Sequence, residues 1–200
     1  VNSEATVFLV DDNPAMLQTM AALVEVMFPR IETFSSALDF LAAYKPNTPG
    51  CLVLDVAMPG MNGLELQQKL LQDKIELPII FITGHGSVPM AVGAMQAGAV
   101  NFLEKPFHEQ ELWDSISKAL EIDAQTRRRK ARRQLLQDRL SQLNEGERTV
   151  LNLILEGKIN KVIAEELGIS TRTVEDRRAR IMKKMDANSV AELVQLTMTH

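Results

Sequence analysis

Two hundred residues, 46% of them apolar and 24% charged, describe one large or two small globular domains and exclude a disordered or fibrous chain. No window approaches the ~18 uninterrupted apolar residues of a membrane helix, and Val1-Asn2-Ser3-Glu4-Ala5 puts no basic patch before an apolar run, so neither a membrane span nor a signal peptide is expected. Cys51, the only cysteine, excludes an internal disulfide and reads as a small buried hydrophobe in a cytoplasmic protein. The net charge of −4 conceals a split: residues 1–121 hold 6 basic and 15 acidic side chains, whereas residues 122–200 hold 16 and 11. An acidic half joined to a basic half implies two domains with different partners.

Along the first half, strand-like and helix-like segments alternate. Thr6-Val7-Phe8-Leu9-Val10 is an apolar run ending at Asp11-Asp12; Pro14 then suits a first helical turn, with Met16, Met20, Leu23 and Met27 at helical spacing. Ile31–Phe34 is a second strand, and Ser36 caps a helix carrying Leu38 and Leu41. Cys51-Leu52-Val53-Leu54 stops at Asp55, before Val56-Ala57-Met58-Pro59-Gly60, and leads to a helix with Leu64, Leu66, Leu70 and Leu71. Pro78–Ile82 delivers Thr83-Gly84 ahead of a helix around 87–97, and Asn101–Glu104 delivers Lys105-Pro106 ahead of one beginning near His108. Five βα units predict a parallel sheet covered on both faces, in the flavodoxin-like order 2-1-3-4-5, with ligands at the carboxyl ends of the strands.

Asp11, Asp12, Asp55, Thr83 and Lys105 all occupy such ends. Mg²⁺ takes one or two carboxylates plus water and phosphate oxygens, a requirement that Asp12 and Asp55, with Asp11 behind, can meet. A phosphoryl group on Asp55 would be neutralised by the cation and Lys105 and could accept a hydrogen bond from Thr83. Ordinary loop polarity explains any one of these residues, but not their joint placement. His85, two positions beyond Thr83, is given no catalytic role.

Between Phe107 and Glu145 there is neither glycine nor proline. Apolar periodicity through Leu112, Ile116 and Leu120 gives way after Ile122 to Arg127-Arg128-Arg129-Lys130-Ala131-Arg132-Arg133, so a solvent-crossing helix is expected over 108 to about 142. The basic run is open to two readings, contact with DNA phosphate or simple solvation. Asn144-x-x-Glu147 has the form of a capping box; Asn160–Leu167 is a short helix stopped by Gly168; Ser170 caps the next, to about Lys184; Ser189-x-x-Glu192 opens the last. Asn160 to Val174 has helix-turn-helix spacing, with Ala164 at the helix crossing and Gly168 in the turn. On the second helix Val174, Ile181 and Met185 form the inward stripe. Arg172, Glu175, Asp176, Ala179 and Lys183 face away, and with Lys161 and Arg177 they are the candidate DNA contacts.

Two family resemblances gather these motifs. Over roughly residues 5–122, Val10-Asp11-Asp12, Asp55 with Met58-Pro59-Gly60 and Asn62-Gly63, Thr83-Gly84 and Lys105-Pro106-Phe107 resemble the response-regulator receiver domain. The resemblance implies that Asp55 is the phosphoacceptor from a histidine-kinase phosphohistidine. It also implies that Asp12, Asp55 and the Ala57 carbonyl hold Mg²⁺, with Asp11 acting through water, and that Thr83 and Phe102 are the switch pair. Over 143–198 the chain resembles the LuxR/FixJ-type effector domain, which implies double-stranded DNA as a partner and the last helix as a dimerisation surface, although an apolar stripe there equally suits intradomain core. The domain expectation is a receiver over 1–122, a helical linker over 123–142 and a DNA-binding domain over 143–200. The functional expectation is a phosphorylation-controlled, homodimerising transcription factor of the FixJ/NarL class, not an enzyme. The alternative is a receiver-like regulator worked by protein contacts without phosphorylation. A haloacid-dehalogenase-type phosphatase would need a second aspartate where Ala57 stands, and a dinucleotide enzyme would need G-x-G-x-x-G where Asp11-Asp12-Asn13-Pro14 stands. Where the effector family commonly shows Val-Glu-Val-His-Arg, this chain has Val174-Glu175-Asp176-Arg177-Arg178.

Overall fold

The computed structural model describes residues 5–84 and 86–198, side chains being described to residue 197. It divides into two compact units, Val1–Arg127 and Arg128–His200.

In the first unit, strands β1 (Thr6–Val10), β2 (Ile31–Phe34), β3 (Gly50–Asp55), β4 (Ile79–Thr83) and β5 (Asn101–Glu104) alternate with helices α1 (Pro14–Glu25), α2 (Ala37–Ala43), α3 (Gly63–Gln72) and α4 (Val88–Gln96), and α5 (Glu109–Ser141) follows. The sheet is parallel throughout, in the order β2-β1-β3-β4-β5 that five βα units predicted. β1, β3 and β4 are buried on both faces, so they read as continuous apolar runs rather than as alternations. Alternate residues then serve two cores. Val7, Leu9, Val53, Ile80 and Ile82 pack with Met20 and Val24 of α1 and Leu112 and Ile116 of α5. Phe8, Leu52, Leu54 and Phe81 pack with Phe40, Leu66, Leu70 and Ala94 of the other three helices. Each such buried side chain contributes about 1.5–3 kcal/mol. Cys51 lies in the first core, where burial pushes its thiol pKa up.

Local chemistry sets the helix starts. Asn13 accepts from the N–H of Ala15 and Met16 ahead of Pro14; Ser36 caps α2 and Ser87 caps α4; Asn62 and Glu65 form a reciprocal capping box on α3. Gly63 is required by close approach, since a Cβ there would run into the carbonyl oxygen of Asp55. The first turn of α3 is thereby seated directly on the end of β3.

Helix α5 runs unbroken for 33 residues. Its attachment to the first unit continues past Leu120: Asp123, 3% exposed, accepts from the N–H of Gly50 at 3.1 Å. Arg127 Nε donates to both oxygens of Asp123, and its two terminal nitrogens donate to the carbonyls of Asn47 and Thr48, each at 2.6 Å. From Arg128 to Leu135 every residue of the helix is exposed.

The second unit adds α6 (Glu145–Leu155), α7 (Asn160–Leu167), α8 (Thr171–Met185) and α9 (Val190–Met198). Leu136 from the end of α5 and Leu143 from the turn beyond it join Val150, Ile154, Ile163, Val174, Ile181, Met185 and Leu193 in one core, with Leu196 packed against it. Leu193 and Leu196 of α9 therefore serve the intradomain core. The expected capping box is formed: Asn144 accepts from the N–H of Glu147 at 2.9 Å, and Glu147 accepts from that of Asn144 at 3.0 Å. The Lys184 ammonium lies 2.6 Å from Glu147; that hydrogen bond, aided by the Asn144 N–H, holds the carboxyl below its ordinary pKa and ties α6 to α8. Gly168 closes α7 in the left-handed conformation, φ 63°, which its lack of a Cβ permits. Among the described residues no helix is long and apolar enough to cross a membrane.

Candidate functional site

The carboxyl ends of β1, β3, β4 and β5 converge as the parallel order requires. Asp11, just beyond β1 and 1% exposed, accepts from the N–H of Asn13 at 2.9 Å with Oδ1. Asp55 closes β3 at 6% exposure and accepts from the N–H of Ala57 at 2.7 Å with Oδ2. The remaining oxygens of both carboxylates meet one ammonium: Lys105 Nζ lies 2.8 Å from Asp11 Oδ2 and 2.6 Å from Asp55 Oδ1. Its backbone N–H donates to the carbonyl of Thr83 at 2.7 Å, which fixes the start of this lysine against the end of β4. Asp12 and Ala57 are exposed at the mouth of the same loops.

Burial pushes the Asp55 pKa above its ordinary 3.8, against the lowering pull of Lys105. Burial also pulls on Lys105, downward, but its bonds and charge contacts with Asp11 and Asp55 outweigh that, and its pKa stands above 10.5. The ammonium thus stays charged and offsets a carboxylate that burial disfavours.

The donor set is oxygen alone. Among the described residues no group of three or more histidine, cysteine or carboxylate side chains is disposed to hold an ion by itself. Two aspartates, a main-chain carbonyl and open solvent match Mg²⁺, which keeps much of its water and prefers phosphate oxygens, better than they match zinc.

Thr83 is fully buried, and Phe102 is half-buried with its ring 6.1 Å from that of Phe81. The two meet at Gly86, where a Cβ would lie 3.1 Å from Phe102 Cε1 and 3.2 Å from Thr83 Cγ2. His85 falls outside the described residues.

In the second unit Ser170 accepts from the N–H of Thr173 at 3.1 Å and starts α8, while buried Ala164 and Val174 close the helix-turn-helix crossing. Arg172, Glu175, Asp176, Ala179 and Lys183 are all exposed, as helical phase predicted, and so is Lys161 on α7. Arg177 does not join them: it is half-buried, its Nη1 is 3.5 Å from the carbonyl of Gly146, and the absent side chain of that glycine makes room for the guanidinium. Asn160, Thr171 and Arg178 line one open cleft of about 530 Å³ together with Lys158 and Lys161. Arg178 and Thr171 sit on the flank of α8, where hydrophobic periodicity carries no signal.

A flavodoxin-like domain with a lysine-bridged aspartate pair, followed by a helix-turn-helix unit, defines a two-domain signalling regulator. Comparison with known proteins assigns both parts. Residues 7–117 match the response regulator receiver domain, and residues 141–197 match bacterial regulatory proteins of the luxR family. The response regulator protein TmoT of Ectopseudomonas mendocina is 42% identical over 196 residues, covering 98% of this chain and 89% of that protein. The transcriptional regulatory protein FixJ of Bradyrhizobium diazoefficiens is 38% identical over 198 residues, covering 99% and 97%. The solved structure of the response regulator StyR has a TM-score of 0.91 at 43% identity, covering 98% of this chain and all of that one. Full-length FixJ from B. japonicum gives a TM-score of 0.58 at 38% identity, covering 98% and 96%. The chain belongs to the response regulators that join a receiver domain to a LuxR-type DNA-binding domain.

Proposed function

We propose that this response regulator is a phosphorylation-dependent transcription factor in which Asp55 accepts a phosphoryl group from the phosphohistidine of a sensor histidine kinase. The observation that carries the reading is the Lys105 ammonium, held 2.6 Å from Asp55 and 2.8 Å from Asp11. In the transfer a carboxylate oxygen of Asp55 forms the new P–O bond as the P–N bond of the donor breaks, and the electron pair leaves with the imidazole. Lys105 offsets the charge that arrives on Asp55, and the hydroxyl of Thr83 donates to a phosphoryl oxygen. Asp12, Asp55 and the carbonyl of Ala57, with Asp11 through water, would hold Mg²⁺, which would supply the charge that neutralises phosphoryl oxygens.

Phe102 is the second half of the switch. It touches the same glycine as Thr83, so a move of the threonine toward the phosphoryl group opens space that the ring can enter. The consequence falls on the face built from α4, β5 and the receiver part of α5, where Val88, Val92 and Met95 are exposed, and a second copy binds there. The dimer then engages duplex DNA in the cytoplasm through Lys161, Arg172, Glu175, Asp176, Ala179 and Lys183. Arg177 takes part only by leaving Gly146.

Sedimentation at several concentrations, paired with duplex binding before and after treatment with a small phosphodonor and Mg²⁺, tests the reading. The dimer fraction and DNA affinity both rise if it holds. Identical behaviour in the two states would overturn it in favour of regulation by protein contacts alone.

A further inference from the structure

The basic balance of the C-terminal half does not belong to the helix-turn-helix fold. Residues 134–200 contain 10 basic and 10 acidic side chains and are formally neutral, while residues 128–133 contain 5 basic and no acidic ones. All the net positive charge of the second unit therefore sits on one stretch of α5. Affinity for duplex DNA depends largely on phosphates neutralised by lysine and arginine, and a neutral domain with Glu175 and Asp176 exposed on α8 is poorly supplied for it.

We propose that residues 128–133 are a second DNA-contacting element that binds backbone phosphates while α8 reads bases, an inference that rests on the DNA-binding reading above. Three observations carry it. Arg128, Arg129, Lys130, Arg132 and Arg133 are all exposed, and the sequence of α5 has no acidic residue between Asp123 and Asp138. Arg129 and Arg133 stand four apart, a like-charge spacing that disfavours a helix and that phosphate would relieve.

Direction is the third observation. Arg129, Arg132 and Arg133 precede Leu136 by seven, four and three residues, so they continue the face of α5 on which Leu136, 5% exposed, enters the effector core. That face is fixed to the end of α8: Arg139 donates to the carbonyl of Met185 at 2.8 Å and to the carboxylate of Asp186 at 2.6 Å. Arg129, Arg132 and Arg133 thus stand on the face of α5 that, one to two turns further on, packs on the end of the recognition helix.

Titration of the full-length chain against a random-sequence duplex over a series of salt concentrations tests this. Each phosphate contact contributes about 0.9 to the slope of log K against log salt. Replacing Arg128, Arg129, Arg132 and Arg133 by glutamine should flatten the slope by about two units or more, weaken selected and random duplexes alike, and leave base preference unchanged. The corresponding four lysine substitutions should keep the slope. Glutamine is a good helix former, so helicity by circular dichroism should hold or rise, separating lost contacts from lost structure. An unchanged slope for the glutamine variant would overturn the inference. Cosedimentation of wild type but not variant with phosphatidylserine vesicles, beside an unchanged DNA slope, would also overturn it and assign the run to a membrane surface. A wild-type chain that binds no duplex at any salt overturns the DNA reading itself, and this inference with it.

Discussion

Lys105 places its ammonium 2.6 Å from Oδ1 of Asp55, at the end of a neighbouring region of sheet fifty residues earlier in the chain. The pair is nearly closed to solvent on the carboxylate side, and the same ammonium also satisfies Asp11, so a single cation balances two buried anions.

Replacing that lysine by methionine should therefore cost the receiver about 3 kcal/mol, because two buried carboxylates are left facing each other. Trp113 is the only tryptophan and donates to the carbonyl of Leu23 at 3.0 Å within the receiver, so its fluorescence during urea unfolding reports this domain alone. The deficit should shrink as the pH falls and one carboxyl takes up a proton.

The pH dependence of Asp55 has a defined sign. Its folded pKa is raised above 3.8 by burial, so the native state holds the proton more tightly than the unfolded chain. The stability this gives is present below the unfolded pKa and is lost as the pH rises through the raised folded value. Asp55→Asn removes the loss, so the variant should be at least as stable as wild type at neutral pH and lose its advantage in acid. Urea midpoints by Trp113 fluorescence across pH 3 to 8 check this, in units where one pKa unit is about 1.4 kcal/mol.

Much of this domain could be read from the chain because its signals are local. A buried parallel strand shows as an uninterrupted apolar run, and a functional strand end shows as a polar residue halting it, which is how Asp55, Thr83 and Lys105 stand out. The caps at Asn144 and Ser170 were equally legible, since each acts on an N–H three residues away. The Asp123–Arg127 clasp was not. It binds main-chain carbonyls 79 and 80 residues distant, and a carbonyl has no sequence identity to read. Arg177 escaped for a related reason, since its partner is the space left by Gly146. The neutrality of the effector fold without its helical leader was countable in the chain, since residues 134–200 hold 10 basic and 10 acidic side chains, but a division of the charges at residue 122 hides it.

Arg127→Ala tests the clasp. Asp123, 3% exposed, would keep the N–H of Gly50 but lose both guanidinium bonds, and the receiver should be about 2 kcal/mol less stable. Hydrogen exchange should show residues 121–127 losing protection while the amides of α1 and α4 keep theirs relative to global unfolding.

Asp176 bears on operator choice. Among the described residues its carboxylate makes no ion pair, so pairing with Arg172 or Arg180 across a turn does not occupy it. A carboxylate in the major groove accepts from cytosine N4 and is repelled by phosphate. Asp176→Val should strengthen binding to random duplex and relax preference at one base pair, by about 1–3 kcal/mol of lost discrimination. Selection from random duplexes at fixed salt reads both effects, and indistinguishable motifs would remove Asp176 from the base-reading set.

The central claim is that Asp55 is the residue modified, and intact-mass analysis after incubation with a small phosphodonor and Mg²⁺ tests it most directly. Wild type should gain one phosphoryl group, lost on hydroxylamine treatment as expected of an acyl phosphate, and Asp55→Asn should gain none. Undiminished labelling of Asp55→Asn, or a wild-type chain that takes up no phosphoryl group, would contradict the account.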